Sequence, residues 1–349
     1  MALVDFSAVT GILVKLFARR VETQLNRSLV LPLVLDVRPE AGQNIQWVAR
    51  SGTEVPTSAV IADGDDVSVF NSDTREAAVL QYGTYHDGFK VSGKALNAAY
   101  AAGNPEQLAM LFAEELSYSV ERLAVAIGDD FYDGSGGTDI IAGLLDATNP
   151  AIGDIGTYAG LDRSTRTYWK GNVLDALGAG ISKDLFKQMK RSIYNATGGA
   201  PDIWICDATQ HDYFGSLLDP NRRAVQDVQR ADGSVVKLDP GWMDNALFFD
   251  GVVVLKDKRC PASKMIALNS MYVSMAQLAN SPEQLKQGAG MLMLGGTPET
   301  QKGAQKTKLS AQILPLAQTG RAVKTALFCD PQLVVKRPQA CGYITGLAA

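Results

Sequence analysis

A long stripe of apolar residues is the clearest pattern in the chain. Between Asn104 and Gly128 the apolar positions recur every three or four residues, which is the spacing of one helix face. Asn104 and Pro105 suit a helix cap and first turn, and Gly128 favours an ending. The pattern predicts a helix over 104–128, roughly 35 Å long. Its inward face would carry Leu108, Phe112, Leu116, Val120, Leu123 and Ile127.

Helices and strands are segregated in the later part of the chain. Amphipathic spacing predicts a helix over Ile181–Asn195 and a short one over Thr209–Leu218. Asp250-Gly251 between two apolar runs predicts a hairpin over Leu247–Leu255. Further strands are predicted at Pro201–Cys206, Met265–Leu268, Leu309–Leu316, Ala322–Phe328 and Leu333–Lys336. This arrangement favours an α+β fold over an alternating α/β sheet.

The first 35 residues combine a short amphipathic stripe with an extended run. The stripe consists of Val9, Ile12, Leu13, Leu16, Phe17 and Val21. Asn26 to Ser28 end this pattern, and an extended segment is predicted to follow. Because one short helix cannot bury its own apolar face, residues 1–35 predict an arm that needs a partner surface.

Residues 36–92 lack a helical period and predict a long hairpin. Strands are expected at Ile45–Val48, Val79–Tyr82 and Phe89–Val91. The stretch between the first two strands is rich in Gly, Asp, Ser and Thr, so the tip of the hairpin is polar and acidic. Since it has few apolar residues of its own, the hairpin is expected to project and to pack on another surface.

Charge is distributed unevenly along the chain. The formal net charge is −4, which argues against an overall basic nucleic-acid binder. Residues 36–90 carry nine acids and four bases, whereas residues 301–349 carry seven bases and one acid. Opposed patches of this kind indicate either self-association between copies or ordinary surface scatter.

No stretch of the sequence combines residues that would form a catalytic, cofactor or metal site. Gly88–Ala95 nearly matches a phosphate-binding loop, but its last residue is alanine, which lacks the hydroxyl that binds magnesium. Asp129–Gly134 begins like a calcium loop, yet Phe131 stands at a ligand position. His86 and His211 are expected at the surface or at strand edges, and the four cysteines as buried free thiols. We therefore expect neither an enzyme nor a bound cofactor.

No apolar run approaches the roughly 18 residues needed to span a membrane. The longest is Leu29–Leu35, and Pro32 interrupts it. The first residues lack the basic and apolar regions of a secretory signal. The sequence thus predicts no membrane association.

Several segments occur in an order that carries a family resemblance. They are Asp133–Gly137, Gly160–Lys170, Pro201–Ile205 with His211–Phe214, and Phe248–Asp257. The second contains Arg163, Tyr168 and Trp169 in an Arg-Ser-x-x-x-x-Trp stretch that is similar to one in phage coats. With the arm, the hairpin and the long helix, the ordered set resembles the major capsid protein of tailed bacteriophages. The fold of that family is the Hong Kong 97 phage-type fold, which encapsulins share.

The resemblance implies an α+β fold in four parts. These are an N-arm (1–35), an E-loop hairpin (36–92), a peripheral P-domain (93–175 and 301–349) and an axial A-domain (176–300). The helix predicted over 104–128 would be the spine helix of the P-domain.

The resemblance further implies a structural protein that self-assembles into hexamers and pentamers. These would form an icosahedral shell around double-stranded DNA, which they would contact loosely and without sequence preference. Separate scaffolding, portal and decoration proteins would be further partners, and the virion capsid would be assembled in the cytoplasm of a bacterial host. An encapsulin-like compartment shell is the alternative with the same fold. A nucleotide-binding or hydrolytic enzyme is the alternative from another class.

The opposed charges supply candidate assembly residues. The acidic tip, with Asp63, Asp65 and Asp66, is expected to meet a basic surface of the next subunit. The basic candidates are Arg75, Lys324, Lys336 and Arg337.

Overall fold

The computed structural model describes residues 29–50, 75–94, 105–218, 227–229, 235–237, 246–278, 292–293, 309, 311–316 and 322–348. The helices of this part of the chain are α1 (Val30–Val34), α2 (Pro105–Asp133), α3 (Lys183–Thr197) and α4 (Ala208–Leu218), with short 3₁₀ turns at Thr167–Trp169 and Pro338–Ala340. The strands are β1 (Asp36–Glu40), β2 (Asn44–Arg50), β3 (Arg75–Gln81), β4 (Tyr85–Ser92), β5 (Thr157–Tyr158), β6 (Leu161–Asp162), β7 (Asn172–Asp175), β8 (Ile203–Cys206), β9 (Asp227–Gln229), β10 (Val235–Lys237), β11 (Ala246–Phe249), β12 (Val252–Lys256), β13 (Met265–Leu268), β14 (Val273–Leu278), β15 (Leu292–Met293), β16 (Gln312–Leu316), β17 (Ala322–Cys329), β18 (Pro331–Val335) and β19 (Gly342–Thr345).

The largest sheet has six strands in the order β11-β12-β8-β13-β19-β7. Every residue of the central strands β8 and β13 is buried, so both faces of the sheet are covered. Helices α3 and α4 cover one face through Phe186, Met189 and Phe214, which belong to the same apolar cluster as Trp204 of β8. The opposite face, which includes Ile205, joins the main core of the molecule.

Two smaller sheets complete the main core. Strands β15, β16, β17 and β4 form an antiparallel sheet in that order, and α2 packs on β4. Strand β1 pairs in parallel with β14, which pairs antiparallel with β18. The predicted apolar stripe of α2 is confirmed where its side chains are described, with four residues buried: Leu116, Val120, Leu123 and Ile127.

Helix α2 continues past its expected end. It runs to Asp133, whereas the sequence predicts an end at Gly128. The glycine serves close packing instead, because a Cβ there would lie 2.8 Å from Leu29 Cδ2 and would overlap the side chain of Arg259. A glycine inside a helix can therefore mark a contact with neighbouring segments rather than a stop.

Residues 29–35 are helical over α1, so the expectation of an extended segment is wrong. Pro32 lies in the first turn of α1, where backbone N–H groups have no partner within the helix. The missing N–H of proline therefore costs the helix no hydrogen bond. The apolar residues around it are buried in the main core: Leu29, Val30, Leu31, Val34 and Leu35. This part of the predicted arm is buried by its own chain, while residues 1–28 lie outside the described residues.

Two predicted helices and the predicted hairpin are confirmed, whereas the strands β1, β7, β14 and β19 were not predicted. Helices α3 and α4 are present, and β11–β12 is a hairpin that turns at Asp250 and Gly251. Their φ angles of 53° and 78° are the left-handed values that a two-residue hairpin turn requires. Helices and strands are segregated along the chain, so the α+β class is confirmed.

The segment 301–349 contributes to three different sheets. Strands β16 and β17 belong to the four-stranded sheet, β18 to the three-stranded sheet and β19 to the six-stranded sheet. The expected domain boundaries stay a prediction. Within the described ranges, no helix is both long enough and apolar enough to cross a membrane.

Candidate assembly surfaces

The hairpin stem is the antiparallel pair β2–β3, which runs from Asn44 opposite Gln81 to Arg50 opposite Arg75. One face of the stem is buried in the main core through Ile45, Ala49, Ala78 and Leu80. Because two strands alone are marginally stable, this buried face fixes the stem to the rest of the molecule. The two predicted stem strands are confirmed, whereas the third predicted strand lies in β4 and pairs with β17.

A loop against the stem, the platform loop (residues 151–171), is organised by the fully buried guanidinium of Arg163. Its Nε donates to the Trp169 carbonyl at 3.0 Å, and its two terminal nitrogens donate to the carbonyls of Ile155 and Ala151, each at 2.9 Å. Burial lowers the pKa of Arg163 to about 10, which still leaves the side chain charged at neutral pH. A single side chain thus fixes three points of the loop.

Aromatic rings join the platform loop to the stem. The ring of Trp47, on β2, lies 6.4 Å from the rings of both Tyr158 and Trp169. Tyr158 and Trp169 stack on each other at 6.1 Å, and Trp169 Nε1 donates to the Tyr158 carbonyl at 3.0 Å. Tyr168 meets Trp169 edge-on at 6.3 Å. Of the predicted motif, Arg163 therefore fixes the loop and Trp169 contacts the hairpin.

Two polar contacts add to this joint. The Nε of Arg166 donates to Glu76 Oε2 on β3, and the Val79 amide donates to the Ala159 carbonyl at 3.0 Å. Neither contact is apparent from the sequence. Glu76 and Arg166 lie 90 residues apart, and no local spacing pattern links them.

The acidic interface candidates Asp63, Asp65 and Asp66 lie outside the described residues. Arg75 is exposed at the far end of the stem. The structure therefore locates only the basic members of the predicted interface.

The other basic candidates lie in two places, one in β17 and two just after β18. Lys324 of β17 lies directly opposite Lys90 of β4. Lys336 is exposed after β18, and the next residue, Arg337, lies 5.7 Å above the ring of Tyr272. Like charges directly opposite each other in a sheet are destabilising, so Lys90 and Lys324 suit a partner that brings carboxylates. Lys90 was missed because strand pairing cannot be read from local sequence.

Helix α2 is fastened to β4 by carboxylates. The Tyr85 hydroxyl donates to Asp130 at 2.5 Å, and burial, together with that contact, raises the pKa of Tyr85. The Ser119 hydroxyl donates to Asp87 at 2.5 Å, and Arg122 lies 2.9 Å from the same carboxylate. The acidic end of α2 thus contacts the sheet, and the segment that begins like a calcium loop is helical up to Asp133.

The two histidines differ in environment. His86 is exposed on β4, where it stacks on Phe328 at 6.0 Å, as expected of a surface residue. His211 is only 1% exposed, so the expectation of a surface position is wrong for it. It lies on α4, whose packing against the six-stranded sheet is a tertiary contact that local sequence does not reveal.

All four cysteines are free and buried, as predicted: Cys206, Cys260, Cys329 and Cys341. Burial raises the pKa of each thiol, in the case of Cys341 to about 12. A thiol with a raised pKa stays protonated and is a poor nucleophile at neutral pH.

Neither of two surface cavities has the chemistry of an active site. A cavity of about 350 Å³ beside β3 is lined by Ser135, Asn149 and Thr157, without any histidine, cysteine or acid. A second, of about 320 Å³ at the end of α3, contains Asp202, whose oxygens both accept hydrogen bonds from Ser270. Among the described residues, no three His, Cys, Asp or Glu side chains group together as metal ligands.

Solved structures share the fold over nearly the whole chain. The capsid asymmetric unit of cyanophage A-1(L) is 18% identical in sequence, with a TM-score of 0.63 over 91% of this chain and 92% of that one. The capsid of an empty GTA particle is 12% identical, with a TM-score of 0.51 over 92% and 97%. The SrpI encapsulin of Synechococcus elongatus is 11% identical, with a TM-score of 0.50 over 90% and 85%. The sequence itself matches no family model and no curated protein.

These likenesses confirm the predicted fold. The chain has the α+β Hong Kong 97-type fold of phage capsid proteins.

Proposed function

We propose that this chain is the major capsid protein of a tailed bacteriophage, a structural protein whose copies form the shell of the virion. The observation that carries the proposal is the agreement with the cyanophage capsid subunit over 91% of this chain. The copies would assemble as hexamers and pentamers into a closed icosahedral shell.

The joint between the stem and the platform loop supplies the mechanical part of this function. Trp47, Glu76 and Val79 contact the platform loop at three points. These contacts fix the orientation of the stem relative to the rest of the molecule. A hairpin held in a fixed direction can reach the same place on each neighbouring copy. Arg163 is a positioning residue in this scheme, because it orders the loop that Trp47 contacts.

Charge supplies the proposed recognition. The acidic tip, with Asp63, Asp65 and Asp66, would meet a basic surface of the next copy. Lys324 is the first candidate on that surface, because Lys90 opposite it leaves two cations side by side. Lys336, Arg337 and Arg75 are further candidates.

The other proposed partners follow from the same function. Double-stranded DNA would lie inside the shell in loose contact with a wall of net negative charge. Scaffolding, portal and decoration proteins would be separate chains, and assembly would take place in the cytoplasm of the bacterial host. The four parts would be N-arm 1–35, E-loop 36–92, P-domain 93–175 with 301–349, and A-domain 176–300. No catalytic step and no cofactor are proposed.

An encapsulin-like shell is the second candidate, supported by the encapsulin likeness at a TM-score of 0.50. The likeness to the phage capsid is closer, at 0.63, which favours the phage function. The two functions differ in what the shell encloses. Particles that package DNA when produced with the other phage genes support the first, and particles that retain an enzyme cargo support the second.

The direct test is the mass and shape of the purified chain, measured by light scattering and negative-stain microscopy at several concentrations. Closed shells or rings of five and six copies are expected, with the neighbouring phage genes co-expressed if the chain alone stays small. A chain that remains monomeric or dimeric under both conditions overturns the proposal.

The charge pairing has its own test. Asp65→Lys with Asp66→Lys is expected to abolish shells while leaving the unfolding transition unchanged, and adding Lys324→Asp is expected to restore part of the assembly. Asp133→Lys, an exposed charge reversal at the end of α2, is the matched control and should assemble normally. Normal shells from the tip variant would show that the pairing is wrong.

A further inference from the structure

Leu177 combines two unfavourable features just after the end of β7. Its side chain is 87% exposed, the highest value among the exposed large apolar residues of the described chain. Its φ angle is 52°, in the left-handed region that leucine rarely adopts. An exposed large apolar side chain and a strained backbone both cost free energy in a single copy. Their coincidence at one residue makes Leu177 a candidate contact with a partner.

Hydrogen bonds hold the backbone around Leu177 in place. The Leu177 amide donates to Asp175 Oδ1 at 2.9 Å, and the Gly178 amide donates to the Gly346 carbonyl at 2.8 Å. The turn is thus fastened both to the end of β7 and to the residues that follow β19. It presents the leucine side chain, here called the knob (Leu177), in one position.

A surface cavity of about 320 Å³ lies at the opposite end of the same sheet. Helix α3 begins six residues after the knob, extends for 15 residues or about 22 Å, and ends at Thr197, which lines the cavity. Met271 and Tyr272, which follow β13, also line it. Since β13 runs antiparallel to β19, and β7 parallel to it, the ends of β13 and β7 point in opposite directions. A copy therefore cannot place its knob in its own cavity.

The cavity suits an apolar side chain. Met271 is 63% exposed at its edge, and methionine adapts its shape readily to a partner. The acid in the cavity wall, Asp202, already accepts hydrogen bonds from Ser270 on both oxygens. Its hydrogen bonding is therefore satisfied without a ligand.

The charges beside the knob and beside the cavity are opposite. Residues 175–184 contain two acids, Asp175 and Asp184, and one base, Lys183, and all three are exposed. The knob therefore lies in a surface that is acidic on balance.

The cavity lies beside two bases. The Lys336 amide donates to the Tyr272 carbonyl at 2.8 Å, and the guanidinium of Arg337 lies 5.7 Å from the centre of the Tyr272 ring. Together they outnumber Asp202. Opposite charges on the two surfaces favour contact between one surface and the other over contact between identical surfaces.

We propose that the knob of one copy inserts into the cavity of the next copy, with Asp175 facing Lys336 and Arg337 of that copy. The contact is head-to-tail because it joins two different surfaces, and such contacts close into rings when the rotation between copies fits. This inference rests on the proposed shell function, whose rings of five and six copies need a contact of this kind.

Crosslinking between introduced thiols tests the contact. Assembled particles of the Leu177→Cys, Met271→Cys double variant are treated with a short bis-maleimide and separated on a denaturing gel. The four native thiols are buried and give little background. Covalent products of up to five and six chains are expected, because each copy links to two neighbours.

The two single variants are the controls, and each is expected to remain a single chain on the gel. Double-variant particles without crosslinked products overturn this inference and leave the shell function intact. Products from Leu177→Cys alone also overturn it, since they would show that knobs contact each other. A wild-type chain that forms no particles, even with the neighbouring phage genes, overturns both the function and this inference.

Substitution of the knob gives a second measurement. Asparagine is polar and adopts a positive φ more readily than leucine, so Leu177→Asn is expected to leave the unfolding midpoint unchanged. The yield of shells is expected to fall at least tenfold. Leu217→Asn, at a leucine on α4 that is 39% exposed, is the matched control and should assemble normally. Normal shells from Leu177→Asn would overturn the inference.

Discussion

The six-stranded sheet and the hairpin stem differ in how they are stabilised. Apolar groups cover both faces of the sheet, so its strands are held by burial within one chain. The stem has only two strands and buries one face in the main core, and a few contacts with the platform loop add to that burial. Burial on two faces therefore stabilises the first region, while burial on one face and a few specific contacts hold the second.

Two tryptophans illustrate the difference. Trp204, in β8, is fully buried and stacks on Phe186 at 4.0 Å. Trp47, in β2, is only partly buried and meets its aromatic neighbours at 6.4 Å. The same residue type thus fills a core in one region and forms a joint in the other. Substitutions can test whether stability and assembly separate along this line.

Trp204→Ala should have the largest effect. It leaves a cavity between the sheet and α3, and we expect the free energy of unfolding to fall by about 3–5 kcal/mol in denaturant titrations. Tyr194→Ala, at an exposed position on the same helix, is the control and should change stability by less than about 0.5 kcal/mol. A loss as small as that of the control would contradict the role assigned to the sheet.

Arg163→Leu should come next. Three carbonyls would lose their donor, two of them in buried hydrogen bonds, and we expect a loss of about 3 kcal/mol in the free energy of unfolding. Arg163→Lys keeps the charge but cannot reach three acceptors at once, so it should recover less than half of that loss. Full recovery with lysine would mean that charge, rather than the geometry of the guanidinium, orders the platform loop.

Trp47→Ala should separate folding from assembly. We expect a loss of about 2 kcal/mol in stability and a larger fractional loss of shells, measured by light scattering under conditions where the chain stays folded. Trp47→Phe should assemble normally, since the indole N–H has no hydrogen-bond partner among the described residues. Normal assembly of the alanine variant would show that Trp47 is not needed to orient the stem.

The buried thiols should give the smallest effect, seen in the dependence of stability on pH. Burial raises the pKa of Cys341 from 9.0 to about 12, so between these values the thiol ionises in the unfolded chain first. Stability is therefore complete below pH 9 and falls as pH rises, by about 1 kcal/mol for this thiol between pH 9 and pH 10. Cys341→Ala should flatten the slope of the unfolding free energy by that amount, and an unchanged slope would show that the thiol is not protected.

The spacing of residues in the sequence predicts which helices and strands form better than it predicts which of them contact each other. The stripe on α2, the hairpin at Asp250-Gly251 and the motif at Arg163 and Trp169 all depend on short-range spacing, which the sequence displays directly. The end of α2 is not predicted correctly, because Gly128 makes room for Leu29 and Arg259 rather than ending the helix. Both of these residues are distant from it in sequence. His211 was misplaced for the same reason, since only the tertiary fold buries it.

The joint between stem and platform loop was only half predictable. The motif identified one side, Arg163, Tyr168 and Trp169, but not what it contacts. Its partners Trp47 and Glu76 lie about a hundred residues away, and an ion pair or an aromatic contact over that distance has no periodic signature. Charge counts located the basic segment without revealing that Lys324 stands opposite Lys90.

The position of β19 in the sequence determines when the six-stranded sheet can form during synthesis. Residues 342–345 form an interior strand between β13 and β7, although they follow every other strand in the sequence. Residues up to 345 must therefore leave the ribosome before this sheet can close. Until then β13 and β7 each present an open strand edge, which is the kind of surface that chaperones protect in nascent chains.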